Sequence, residues 1–226
     1  MRRLILLFVI IILTSLQSFS QNILFNVGVN ISSMSIEYSD FAYTTDRFPV
    51  ISPDLSLGYE YYLTKSLSIK PAIAYSRQGR LIAMDLGSGF YYEEKFTINY
   101  IEFPFLLSYN FNPRLTWGYS LNINAGPFIA YGFRGLVTSD NTAFVSEESL
   151  FLGGDGIERN DYGLMFRIGF GFPENQLSLT LSGGLKNLAI TGGDYTRFRR
   201  IAMSLNYVRI IDFGPNARRM LRKRFF

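Results

Sequence analysis

The chain is predicted to be all-β, an eight-stranded antiparallel up-and-down transmembrane β-barrel with short periplasmic turns and long extracellular loops. Three observations predict it. Apolar and polar residues alternate with a period of two in eight segments. The connections between those segments alternate long and short. Finally, one register of each segment is apolar, while the other is small and polar yet too poor in charge for a water-facing surface.

The elements follow in order. Arg2 and Arg3 precede ten unbroken apolar residues, Leu4 to Leu13, and small residues around Ser18 and Ser20 follow. That is the pattern of a secretory signal peptide over 1–20, with a mature start near Gln21. The run is shorter than the roughly 20 residues a spanning helix needs. The chain has no cysteine, so a lipid anchor on a cysteine after the apolar run is excluded, as are disulfides and thiolate metal sites. Loss of Arg2 and Arg3 leaves 20 basic against 18 acidic residues, +2 rather than the +4 of the full chain. The barrel domain is expected over 21–213, with strands near 23–33, 50–63, 67–77, 96–110, 119–133, 161–172, 177–187 and 199–213. Long connections at 34–49, 78–95, 134–160 and 188–198 fall at one end, and short ones at 64–66, 111–118 and 173–176 at the other. In membrane barrels the short turns are periplasmic. Residues 214–226 form a basic tail, in which NARRMLRKRFF holds five positive charges and no acid. A solvated tail or a contact with anionic headgroups is the expectation there, and nucleic acid is not an expected partner.

The direction of the two faces is decided by charge. An exported, lipocalin-like barrel would also alternate, with its apolar face turned inward around a ligand. The apolar register here includes Phe25, Val27 and Val29, then Leu55, Leu57 and Tyr59, then Phe166, Ile168 and Phe170, none of them charged. The opposite register holds Asn26, Gly28, Asn30, Ser56, Gly58, Asn122, Asn124, Ser178 and Thr180. Of the positions assigned to it, only Asp54, Glu60, Lys70, Glu102 and Arg167 carry charge. Small side chains suit the interior of an eight-stranded barrel, which they nearly fill. The greasy face therefore meets lipid.

Buried charges need partners. The Thr64–Ser66 turn pairs Leu63 with Leu67 and sets Glu60 across from Lys70. Glu102 is expected to engage Arg167 or Lys70, completing a lumen network of Glu60, Lys70, Glu102 and Arg167. Pro104 lacks a ladder donor, so a local bulge is expected there.

Three stretches carry a family likeness. YIEFPFLLSYNF at 100–111, NAGPFIAYGF at 124–133 and DYGLMFRIGFGF at 161–172 resemble strands of the Bacteroidetes outer membrane β-barrel family, and the SFSQ region is similar to that phylum's exported proteins. The likeness covers most of the chain after residue 20. It implies an outer-membrane, porin-like barrel, and the layout is also similar to PorT-like proteins of the type IX secretion and gliding machinery. The basic extension past Phe213 departs from a barrel that ends at an aromatic.

Catalysis is not expected. The chain has neither histidine nor cysteine, so the usual neutral base and the thiolate nucleophile are both missing. Ser68 with Lys70 is the remaining nucleophile–base candidate. Asp155, Glu158 and Asp161 in GGDGIERND could offer oxygen ligands to Ca²⁺, although their spacing matches no EF-hand. Arg197, Arg199 and Arg200 flank the outer end of the last strand and are candidates for lipopolysaccharide phosphates. Tyr59, Tyr61 and Tyr207 read as a periplasmic aromatic girdle. The expected protein is a monomer without cofactor, in contact with outer-membrane lipid and lipopolysaccharide. Its expected role is structural or in interaction, with an envelope or secretion-machinery protein as partner; a small-solute channel or ligand-binding barrel is the alternative.

Overall fold

A computed structural model describes residues 21–38, 46–64, 66–85, 91–111, 119–141, 144–151, 157–172, 174–190 and 195–212. The expected signal peptide, Phe213 and the basic tail lie outside the described residues. Among the described residues nine strands occur in chain order: β1 Gln21–Tyr38, β2 Asp46–Tyr62, β3 Leu67–Asp85, β4 Tyr91–Phe111, β5 Ser120–Asn141, β6 Phe144–Ser149, β7 Asn160–Phe172, β8 Asn175–Gly184 and β9 Tyr195–Asp212. All pairings are antiparallel. The sheet closes on itself through β1–β9 and β4–β5, giving a barrel of eight strands, while β6 is a short partner of the outer part of β5.

The period-two pattern settles which way the side chains point. On β7, Tyr162, Leu164, Phe166, Ile168, Phe170 and Phe172 are all exposed, and the residues between them turn inward. Ten steps of about 3.3 Å, tilted by about 40°, make an apolar band roughly 25 Å tall. That matches the hydrocarbon belt of an outer-membrane barrel. No helix of the described residues is long and apolar enough to cross a membrane. The barrel crosses with strands. Near the end that carries the start of β1 and the end of β9, Tyr119 stacks on Phe170 at 5.5 Å and Tyr109 meets Phe111 edge-on at 4.9 Å.

The β2–β3 connection behaves as the spacing predicts. Leu63 N donates to Leu67 O at 2.8 Å, and the Thr64 hydroxyl accepts from Leu67 N at 3.0 Å, closing the β2–β3 turn. The long connections do not. The ladders run far beyond the expected strand ends, to Tyr38 on β1, Asp85 on β3 and Asn141 on β5, and β6 occupies part of the expected loop at 134–160. The physical reason is that the alternation continues. Met34, Ile36, Ile82, Phe96 and Ile98 remain inward-facing and buried above the lipid belt, so the extended pairing still encloses apolar side chains.

Pro104 also differs from expectation. The β4–β5 register is the same at Pro104↔Phe128 and at Leu107↔Ala125, and the β3–β4 register is unchanged between Pro71↔Phe105 and Ala74↔Glu102. Pro71, Pro104 and Pro127 thus interrupt ladder hydrogen bonds without shifting any strand. The irregularity falls higher, where Asn99 pairs Arg134 but Tyr100 pairs Gly132. This bulge doubles Phe133 and Arg134 on the outer face.

Candidate functional site

The lumen is built in tiers. At the periplasmic end, the register around Gly58↔Ala72 and Tyr61↔Ile69 sets Glu60 opposite Lys70. Lys70 Nζ lies 3.2 Å from Glu60 Oε1, and both residues are buried. Ser68 Oγ donates to the same carboxylate at 2.7 Å and Asn22 Nδ2 at 3.1 Å. Serine and lysine are therefore bound to one acid rather than to each other, which is the arrangement of a satisfied ion pair and not of a nucleophile with its base. Nearby, Asn124 donates to Asn122 at 2.7 Å, Asn122 to Gln176 at 2.7 Å and Gln176 to Ser120 at 2.8 Å.

In the middle tier, Arg167 Nε donates to Thr180 Oγ1 at 2.9 Å, with Asp54 and Glu102 balancing its charge at longer range. Asp54 itself accepts from Asn206 Nδ2 at 3.2 Å. Gly28, in register with Asn206, is small by necessity: a Cβ there would fall 2.1 Å from Asn206 Oδ1 and 2.2 Å from Leu205 O. Several amides of this region use their donors and leave the carbonyl oxygen without a partner among the described residues, including those of Asn26, Asn30, Asn124 and Asn206.

Above them lies the strongest electrostatic feature. Arg200 reaches Glu102 Oε1 from Nη1 at 2.6 Å and Asp161 Oδ2 from Nε at 2.5 Å, and it is almost fully buried. Its guanidinium also lies over the rings of Tyr100, at 4.2 Å, and Phe128, at 4.7 Å. Ser76 and Gln78 donate to Glu102 as well, at 2.7 and 3.0 Å. The outermost tier is mostly apolar: Met34, Ile36, Ile82, Phe96, Leu188 and Phe198 pack into one buried cluster, with Phe96 and Phe198 edge-on at 6.3 Å, and the buried Arg80 enters it by donating from Nη1 to the Met34 carbonyl.

Several sequence-derived site residues are placed differently. Glu102 binds Arg200, not Arg167 or Lys70. Arg200 does not face lipopolysaccharide, because on β9 it shares the inward register of Phe198, Ala202 and Ser204. Counting by twos from the lipid-facing Leu205 would have found this. Arg199 is exposed, and Arg197 is exposed with its Nη1 3.2 Å from Glu37. The three acidic loop candidates do not form a metal centre among the described residues: Asp161 turns inward to Arg200, Glu158 is exposed and pairs with Lys186, and Asp155 lies outside the described residues.

The closed ring of strands, the apolar outer belt and the packed interior together define a small integral outer-membrane β-barrel. Residues 17–188 match the model of the outer membrane protein beta-barrel domain family, and the chain belongs to that family. Its location is accordingly the outer membrane. Among solved structures it is similar to the outer membrane protein OprG from Pseudomonas aeruginosa, at 10% identity, covering 85% of this chain and 96% of that one with a TM-score of 0.50. It is also similar to Ail, the attachment invasion locus protein of Yersinia pestis, at 12% identity over 85% and 99% of the two chains, TM-score 0.41. Neisserial surface protein A is matched at 9% identity over 83% and 96%, TM-score 0.38. These likenesses are of fold alone. No curated protein matches the chain.

Proposed function

We propose that this is a non-catalytic, non-conducting barrel that acts through its extracellular rim, as a structural or interaction protein serving an envelope or secretion system. The observation that carries the reading is the doubly stoppered lumen: the Arg200–Glu102–Asp161 cluster fills the centre, and the apolar cluster of Phe96, Ile98 and Phe198 closes the outer end. Eight strands leave room for little more than side chains in any case. The strand extensions above the belt give a rigid platform on which the connecting segments can meet a partner. The family motifs at 100–111, 124–133 and 161–172 support placement beside the PorT-like proteins of Bacteroidetes. In this reading residues 1–20 direct export, the mature protein begins near Gln21, and it works as a monomer.

Planar-bilayer recording tests the closed lumen. The purified protein is expected to give no steady openings, and reproducible solute-permeable conductance would replace this reading with the channel alternative. Photo-crosslinkers in the connections at the outer end, and in 214–226, are expected to capture an envelope protein in cells. Identical growth and assembly after both regions are removed would end the interaction reading.

A further inference from the structure

The outer faces of β3, β4 and β5 bring Arg77, Asn99 and Arg134 into one row, Arg77 paired with Asn99 and Asn99 with Arg134. Plain alternation points Arg77 outward. Arg134 joins it only because the bulge at Phe133 shifts the parity of β5. Both arginines are exposed, and neither has an ion-pair or hydrogen-bond partner for its guanidinium among the described residues. The nearest carboxylates along β4, Glu94 and Glu93, begin five residues above Asn99, about 16 Å up the strand. Two uncompensated cations thus flank an amide, across two strand spacings of about 4.8 Å. Tyr75 donates to Asn99 Oδ1 at 3.0 Å, which leaves the amide hydrogens of Asn99 for an acceptor.

Directly beneath this row the barrel wall is hollowed. Ile101, Tyr75 and Phe133 line one end of a groove of about 630 Å³ with an almost wholly apolar wall. The groove follows the hydrogen-bonding direction through Leu55 and Val27 to Tyr207, where Arg209, beside Glu174, closes its periplasmic end. From β4 to β9 that is four strand spacings, roughly 19 Å. A trough of that length in the lipid belt, with unpaired guanidinium groups at its outer end, has the shape and charge of a chain-bearing phosphate ester.

We propose that this face binds lipopolysaccharide: Arg77 and Arg134 hold phosphate on the glycolipid head, Asn99 donates between them, and one acyl chain lies in the groove. The outer-leaflet glycolipid is the occupant because the row stands at the end opposite the short turns, at the top of the apolar belt. Arginine forks suit phosphate, and charge-assisted bonds at a partly dehydrated interface are the strong kind. Among the last-strand arginines, Arg197 is committed to Glu37 and Arg200 to the lumen, while Arg209 lies toward the periplasmic end beside Glu174 and Asn175, so the outer end of β9 offers only the single charge of Arg199.

Native mass spectrometry in detergent, with bisphosphorylated lipid A, its phosphate-free form and phosphatidylglycerol as probes, tests the site. The wild-type barrel is expected to retain one bisphosphorylated lipid A. Arg77→Ala with Arg134→Ala should weaken that retention about tenfold or more, whereas Arg197→Ala with Arg199→Ala should not. Removing the phosphates from the lipid should weaken binding to the wild type similarly, a readout that needs no variant to fold. Unchanged retention by the double variant would overturn the proposal. So would equal binding of the phosphate-free lipid, or a preference for phosphatidylglycerol.

Discussion

Arg200 concentrates the consequences of burying charge. It neutralises two carboxylates at once and covers two aromatic faces, so its removal strands Glu102 and Asp161 in the barrel centre. Replacing Arg200 by Met is expected to cost about 3–5 kcal/mol, read as a lowered urea midpoint for the barrel in lipid vesicles. Adding Glu102→Gln should recover part of the loss by removing one orphaned charge. Arg199→Ala, one residue away on the wet face, should stay within about 0.5 kcal/mol of wild type. Equal effects of Arg199 and Arg200 would contradict the inward placement. Legibility in the sequence divides along the same line. Glu60 and Lys70 could be paired from the turn at Thr64 and simple parity, since they sit on adjacent strands. Glu102 and Arg200 lie on β4 and β9, opposite one another across the lumen, and ladder adjacency says nothing about contacts made through the centre of a barrel.

Among the elements, the strands that outrun the lipid belt depart furthest from the sequence reading. Stretches such as 79–83 and 91–95 look like loop because Gly79, Glu93, Glu94 and Lys95 mask the alternation, yet they pair throughout. Ile82, Phe96 and Ile98 give the reason, an apolar interior that continues above the membrane. Hydrogen exchange separates the two views. The amides of Leu81, Ile82 and Lys95 are expected to be protected alongside those of the membrane-spanning ladder, as members of one cooperative unit. Exchange of these amides at unprotected rates would return the segments to loop. The three prolines are instructive in the same way. Their residue type correctly signals missing ladder bonds, but neighbouring strands keep the register, so no bulge is needed where Pro104 stands.

For the whole molecule, the barrel and the lipid-facing side were legible because a strongly apolar register and a small, charge-poor one leave neither face suited to bulk water. The division of the interior was not legible, since it depends on how far the strands extend. The periplasmic half is mostly polar, with several amide acceptors left unmet around the small apolar cluster of Leu24, Val208 and Ile210, while the outer end is mostly apolar and aromatic around the buried Arg80. Cysteine accessibility tests this asymmetry. A charged, membrane-impermeant thiol reagent is expected to modify Ser178→Cys in the lower lumen and to spare Ile98→Cys. Modification of both at similar rates would mean a continuous aqueous path, contrary to the stoppered interior.

The doubled pair at Phe133 and Arg134 works as a phase shifter. Along β5, odd-numbered positions such as Ile129 and Tyr131 meet hydrocarbon below it, whereas above it the odd-numbered Gly135 is enclosed and Arg134 looks out. One surplus residue thereby uncouples the hairpin that β5 builds with β6 from the membrane-embedded stave beneath. The rim can change its outward-facing chemistry without rewriting the code that holds the wall in lipid.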